Sequence, residues 1–225
     1  MLAVANLSAS YGRIPALANI GFAVERGECV GIWGHNGMGK TTLLKTIMGY
    51  LAAQTGSISF LGQDITRSET HHRARLGIGL VPQGRQIFPN LSVRENLEVG
   101  AAVLSPEKTI LDKALATFPR LKPLLERKGG FLSGGEQQLL ALARCLCGQP
   151  KVLLLDEPAE GIQPSIVEEI SETLIGLRQR EHLTMIVVEQ KRDFIVSLAS
   201  RVLVMEKGRV TKELPVKALA QLDEI

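Results

Sequence analysis

The sequence predicts an α/β protein with a mostly parallel sheet, an antiparallel β part at its N-terminal end and an inserted helical segment. Three observations carry that prediction. Strand-like and helix-like runs alternate from Cys29 onward, which calls for βαβ crossovers and parallel pairing. Lys151 to Asp156 is a continuous apolar run closed by acid, the pattern of a parallel strand buried on both faces. Between Gly84 and about Gly148 no convincing strand occurs, only helical periods punctuated by Pro and Gly.

Element by element, Phe22-Ala23-Val24 and Cys29 to Trp33 read as strands, followed by a Gly-rich turn and a helix from about Thr41 to Tyr50. Ser57 to Leu61 alternates small polar and apolar residues, as a half-buried antiparallel strand does. Leu76 to Val81 reads as a strand closed by Pro82. After the helical insertion come the strand 151–156, a helix from about Ser165 to Arg180 and a strand from Thr184 to Val188. A helix near 194–199 and a short strand pair, Val202 to Met205 and Arg209-Val210, complete the series. One domain is expected: residues 1–83 and 149–225 as core, 84–148 as the inserted helical subdomain.

Composition narrows the class. Of 225 residues, 45% are hydrophobic and 22% charged, the balance of a globular protein with a sizeable core. The net charge of +3 is too small for a nucleic-acid partner, which needs clustered Lys and Arg. No apolar run approaches the roughly 18–20 residues that span a bilayer, and Met1 to Ala5 lacks the form of a secretory signal. Cys29, Cys145 and Cys147 offer no disulfide framework or zinc spacing, and the last two point roughly 200° apart on a helix. Small buried thiols in the cytosol are the expectation. His71-His72-Arg73 reads as a solvated, charged helix or loop face, with a binding patch as the alternative.

Gly34-His35-Asn36-Gly37-Met38-Gly39-Lys40-Thr41 follows a strand and opens a helix. It matches the phosphate-loop pattern G-x-x-x-x-G-K-[ST]. Glycines let successive N–H groups turn inward onto phosphate oxygens, and the helix N-terminus adds partial positive charge. Lys40 would reach the β- and γ-phosphates of a nucleoside triphosphate, and the Thr41 hydroxyl would ligate Mg²⁺. Asp156 would hold Mg²⁺ through its water shell, and Glu157, one residue further out, would polarise the attacking water.

Leu132-Ser133-Gly134-Gly135-Glu136-Gln137-Gln138 precedes an apolar helix. Ser133 and Glu136 form a capping box, a common helix start. Capping alone does not require two consecutive glycines, whereas close backbone approach at an anion site does. At this element the sequence resembles the ATP-binding cassette family, whose signature reads LSGGQ or LSGGE, and the resemblance spans nearly the whole chain in the family's motif order. It implies a P-loop NTPase core, ATP and Mg²⁺ as ligands, and two cassettes packed head to tail. Ser133, Gly134 and Gly135 of one cassette would face the γ-phosphate held by the other.

The resemblance further assigns Tyr11 to stacking on adenine, and Asn36, Gly37, Gly39 and Thr42 to the phosphate loop. Gln83 becomes the residue that contacts Mg²⁺ or water and hinges the helical subdomain. Gly84 to Pro89 would help to receive a short helix from a transmembrane permease subunit, or belong to the core. Two departures stand out: Gln190 occupies the place of the family's switch histidine, and Gln163 that of a frequent Asp. A glutamine can donate a hydrogen bond to the γ-phosphate but cannot titrate near neutral pH.

With Val81 to Arg85, Phe88-Pro89 and Glu160 to Ser165, these departures resemble the branch serving hydrophobic amino acid and amide uptake. Branched-chain amino acids are the expected cargo, with urea or short amides as the alternative. An exporter ATPase or a cassette acting outside transport is more distant. The expected partners are permease subunits, a second ATPase (self or paralogue) and, indirectly, a periplasmic or extracellular substrate-binding protein, with the chain on the cytoplasmic face of the membrane. A GTPase would need an N-K-x-D motif, which is absent.

Overall fold

The computed structural model describes residues 1–102 and 108–220. Strands β1 (Leu2–Tyr11) and β2 (Ile14–Val24) form an antiparallel pair, and β3 (Cys29–Trp33) leads into the phosphate loop and helix α1 (Lys40–Met48). Strands β4 (Thr55–Phe60) and β5 (Gln63–Asp64) precede helix α2 (Thr70–Leu76) and strand β6 (Ile78–Val81). Helices α3 (Val93–Ala101) and α4 (Lys108–Thr117), two 3₁₀ turns (Pro119–Leu124 and Gly129–Phe131) and helix α5 (Gly134–Cys147) follow. The chain then runs through β7 (Val152–Asp156), α6 (Pro164–Glu181), β8 (Thr184–Glu189) and α7 (Arg192–Leu198) to β9 (Arg201–Glu206), β10 (Arg209–Pro215) and α8 (Val216–Ala220).

Two sheets result. The first has the order β2-β1-β4-β5 and is antiparallel throughout. The second has the order β10-β9-β3-β8-β7-β6, parallel except for the edge pair β9–β10. Fold class and sheet character agree with the expectation from sequence. The terminal strand pair is longer than expected, because β10 runs on to Pro215 as an edge strand.

The parallel sheet divides the core, as alternation of side chains along each strand requires. Leu153, Leu155, Met185 and Val187 pack with α5 and α6 on one face. Val152, Leu154, Ile186 and Val188 pack with α1 and the antiparallel sheet on the other. Burial on both faces explains why β7 and β8 are apolar without interruption.

Two expectations need correction. Leu76 ends α2 rather than starting β6, because Gly77 at φ 110 forms a left-handed C-cap whose N–H bonds back to Ala74 and Arg73. Arg73 is not on a solvated face either: it is 2% exposed, while His71 and His72 are exposed. Its guanidinium donates to the carbonyls of Thr46 and Ile47 at the end of α1, and to those of Thr66 and Ser68. A cation at a helix C-terminus is favourable electrostatically, which is what retains the charge in a buried place.

Candidate active site

The phosphate loop hangs between β3 and α1 at the carboxyl ends of the parallel strands, where open α/β sheets bind ligands. Gly37 (φ 80) and Gly39 (φ 97) adopt backbone that other residues rarely take. Gly39 is the N-cap of α1 and contributes no side chain, so the first N–H groups of the helix stay open to an anion.

Lys40 is almost fully buried. Its ammonium donates to the carbonyls of Gly34 (2.8 Å) and His35 (3.0 Å) and pairs with Glu157 Oε1 at 3.2 Å. Thr41 Oγ1 donates to Asp156 Oδ1 at 3.0 Å, joining α1 to the end of β7 across the intervening β8. Burial pushes the Asp156 carboxyl up to about 6, against the opposing Thr41 hydrogen bond. A hydroxyl and a buried carboxylate this close suit a hard cation that keeps most of its waters.

Gln83 Nε2 donates to Glu157 Oε2 (3.2 Å) and Glu160 Oε2 (2.9 Å). Gln190 Nε2 donates to Asn36 Oδ1 at 2.8 Å, tying the end of β8 to the phosphate loop. A cavity of about 570 Å³ is lined by Asn36, Gly37, Gly39, Lys40, Thr41, Thr42, Gln83 and Glu157, joined by Pro15, Ala16, Lys207 and Gly208.

Not every expected residue reaches this cavity. Tyr11 sits at the end of β1, half exposed, and borders a different groove. Ser133, Gly134 and Gly135 are not among the lining residues. Ser133 caps α5, accepting from Glu136 N, while Glu136 accepts from Ser133 N. The two glycines also answer to packing within the chain. A Cβ on Gly134 would lie 2.9 Å from the Arg85 guanidinium, and one on Gly135 would lie 2.9 Å from Ile166.

Sequence reasoning missed the hairpin turn Lys207-Gly208, which reaches the loop through Gly208 N to Met38 O (3.0 Å) and Lys207 N to Met38 Sδ (3.2 Å). Its Lys-Gly composition marks a turn but not its destination. Glu189 and Lys191, which flank Gln190, were also missed. Both bond to the loop after Glu157.

A second groove of about 770 Å³ shares no lining residue with the phosphate cavity but reaches Asp156 at the end of β7. Tyr50, Phe88 and Val99, three of the exposed large apolar side chains, border it with Leu51 and Arg144. Within Gly84 to Pro89, Ile87 packs against the core while Phe88 is exposed, with Arg144 stacked 4.9 Å from its ring. Among the described residues no helix is long and apolar enough to cross a membrane, and no group of three or more His, Cys, Asp or Glu is arranged to hold a metal. The three thiols are free, with burial pushing Cys29 and Cys145 up to about 12 and Cys147 to about 11.

Comparison with known proteins gives concordant results. Residues 17–160 match the family model described as ABC transporter. The chain is 42% identical to the high-affinity branched-chain amino acid transport ATP-binding protein BraG of Pseudomonas aeruginosa, over 93% of this chain and 91% of that protein. It is 36% identical to a protein of Archaeoglobus fulgidus named "Probable branched-chain amino acid transport ATP-binding protein LivF", over 93% and 90% respectively. Among solved structures, a nucleotide-free ATP-binding cassette from an ABC transporter superposes with a TM-score of 0.88 at 28% identity, over 99% of this chain and 95% of that one.

Proposed function

This chain belongs to the ABC transporter family as an ATP-hydrolysing subunit, and from that premise we propose that it powers an importer of branched-chain amino acids. The cargo follows from the names of two relatives that share over a third of its residues along nearly its whole length. Nothing in those names favours urea.

The observation that carries the catalytic assignment is the pair of contacts Thr41–Asp156 and Lys40–Glu157, which bring the phosphate loop and the two acids together. Lys40 and the N–H groups of Asn36 to Thr42 bind the phosphates. Thr41 and Asp156, with Gln83 at their edge, would hold Mg²⁺, which would supply neutralising charge on the phosphate oxygens. Glu157 then orients the attacking water and takes its proton, assistance worth about 10²–10⁴ in rate. Gln190 donates its amide N–H to the γ-phosphate without changing charge. Tyr11, which borders the second groove rather than the phosphate cavity, has its role on adenine from the family resemblance alone.

Ser133, Gly134 and Gly135 complete the site from a second cassette, because within one chain they stand outside the phosphate cavity. Two such contacts in a head-to-tail pair make two composite sites. The 770 Å³ groove receives a helix of the permease; its rim of exposed apolar side chains supports that role. The subunit therefore works on the cytoplasmic face of the membrane, with a substrate-binding protein on the other side.

The test is ATPase rate against protein concentration for wild type, Ser133→Arg and Glu157→Gln. The composite site predicts a rate per subunit that rises with concentration and falls at least about 10²-fold in Glu157→Gln, in line with a lost general base, while ATP binding persists. Ser133→Arg should also abolish turnover. A concentration-independent rate that survives Ser133→Arg would sink the dimeric mechanism. Uptake of labelled leucine against labelled urea by the assembled transporter tests the cargo.

A further inference from the structure

Glu157 has φ 48, in the left-handed region that costs a non-glycine residue about 1–2 kcal/mol. Its surroundings must hold it there. One tether is its own N–H, which donates to Val188 O at 2.9 Å. The other acts two residues further on, where Ala159 is fully buried and both of its backbone polar groups are taken by side chains. Glu189 Oε1 accepts from Ala159 N at 3.0 Å, and Lys191 Nζ donates to Ala159 O at 2.8 Å.

Glu189 is itself 2% exposed. Its second oxygen accepts from the N–H groups of Gln190 (2.8 Å) and Lys191 (3.1 Å). Gln190 is held on its other sides as well, by Trp33 Nε1 on its carbonyl (3.0 Å) and by Asn36 on its amide (2.8 Å). One carboxylate thus joins the end of β8, which contacts the phosphate loop, to the loop that carries Glu157.

We propose that Glu189 is a positioning residue for hydrolysis: with Lys191 it clasps Ala159, so that the Glu157 loop and Gln190 move as one unit. The proposal rests on the reading of Glu157 and Gln190 given above. Only an acceptor with two oxygens serves all three N–H groups. A carboxamide at this place would turn an N–H₂ toward at least one backbone N–H and break one arm of the clasp. Glu189, Lys191 and Ala159 are not among the residues lining the phosphate cavity, so loss of the clasp acts on turnover rather than on binding.

The experiment measures kcat, ATP affinity and thermal midpoint on the full chain for Glu189→Gln, Lys191→Met, Lys191→Arg and the double variant Glu189→Gln/Lys191→Met. Glu189→Gln should lower kcat about tenfold, with ATP affinity held within about twofold. Lys191→Met should lower kcat severalfold, and Lys191→Arg should restore most of it. The double variant should lose no more than Glu189→Gln alone, because both act on Ala159. Should Glu189→Gln fold poorly, Lys191→Met and its rescue decide the matter without a change at the carboxylate.

Losses that multiply in the double variant, a kcat unchanged in Lys191→Met, or a fall in kcat matched by an equal fall in affinity would each overturn the clasp. Glu157→Gln run alongside keeps the two questions apart. Full turnover in that variant overturns the role of Glu157, whereas normal turnover in Glu189→Gln beside an inactive Glu157→Gln overturns only the clasp.

Discussion

Burial pushes the Asp156 carboxyl up to about 6 from 3.8, so between about pH 4 and pH 6 the folded protein holds a proton that the unfolded chain has released. This contribution to stability is present at low pH and is lost as pH rises through that window. Asp156→Asn should remove that slope, and at pH 7 should stabilise the nucleotide-free protein by an amount on the order of 2–3 kcal/mol. Denaturation of wild type and variant at several pH values checks this. The same variant should lose the added stabilisation that Mg²⁺ with ATP gives the wild type. Calorimetry at pH 5.5 in buffers of different ionisation enthalpy should also find proton release on binding in the wild type and less in the variant.

Among the elements, α2 is tied to the end of α1 by the Arg73 side chain, beside the core packing of Ala74 and Leu76. Arg73 donates to four carbonyls, two of them at the last turn of α1. Arg73→Met keeps apolar bulk but removes the guanidinium donor from all four carbonyls, while Thr46 O keeps the Gly49 N–H at 3.2 Å. A stability loss of about 2–4 kcal/mol is expected, measured by urea denaturation, from the lost hydrogen bonds and the lost cation at the helix end. The sequence around Arg73 reads as charged surface because a helix cap donated from a distant element leaves no local pattern. By contrast, the phosphate loop and β7 were legible. Backbone wrapping demands glycines at fixed spacing, and burial on both faces demands an unbroken apolar run. The same distinction separates Lys40, found by spacing, from the Gln190–Asn36 bond, which joins residues 154 apart in the chain.

At the scale of the molecule, the two concave surfaces differ in chemistry, the second reaching Asp156, and the proposed roles divide hydrolysis from docking between them. The phosphate cavity is polar and glycine-rich, whereas the groove bordered by Tyr50, Phe88 and Val99 is largely apolar. Val99→Asp should leave the ATPase rate of the isolated subunit within about twofold while cutting transport by the assembled importer at least tenfold. A surface charge away from the site costs little stability, whereas a charge in an apolar docking groove must be desolvated. Parallel assays of ATPase and uptake make the comparison. The groove could not be read from sequence with the same clarity. Its border residues come from β1, α1, α2, β6, α3, α5, β7 and the segments between them, and only folding brings them to one surface.

The ion pair between Lys40 and Glu157 links the phosphate loop to the acid beyond β7. The ammonium engages one oxygen of that carboxylate at 3.2 Å, and Gln83 engages the other. Phosphates that draw Lys40 onto themselves compete directly for its hold on Glu157. On the proposed roles of Lys40 and Glu157, a bound phosphate therefore frees the very carboxylate that acts on it.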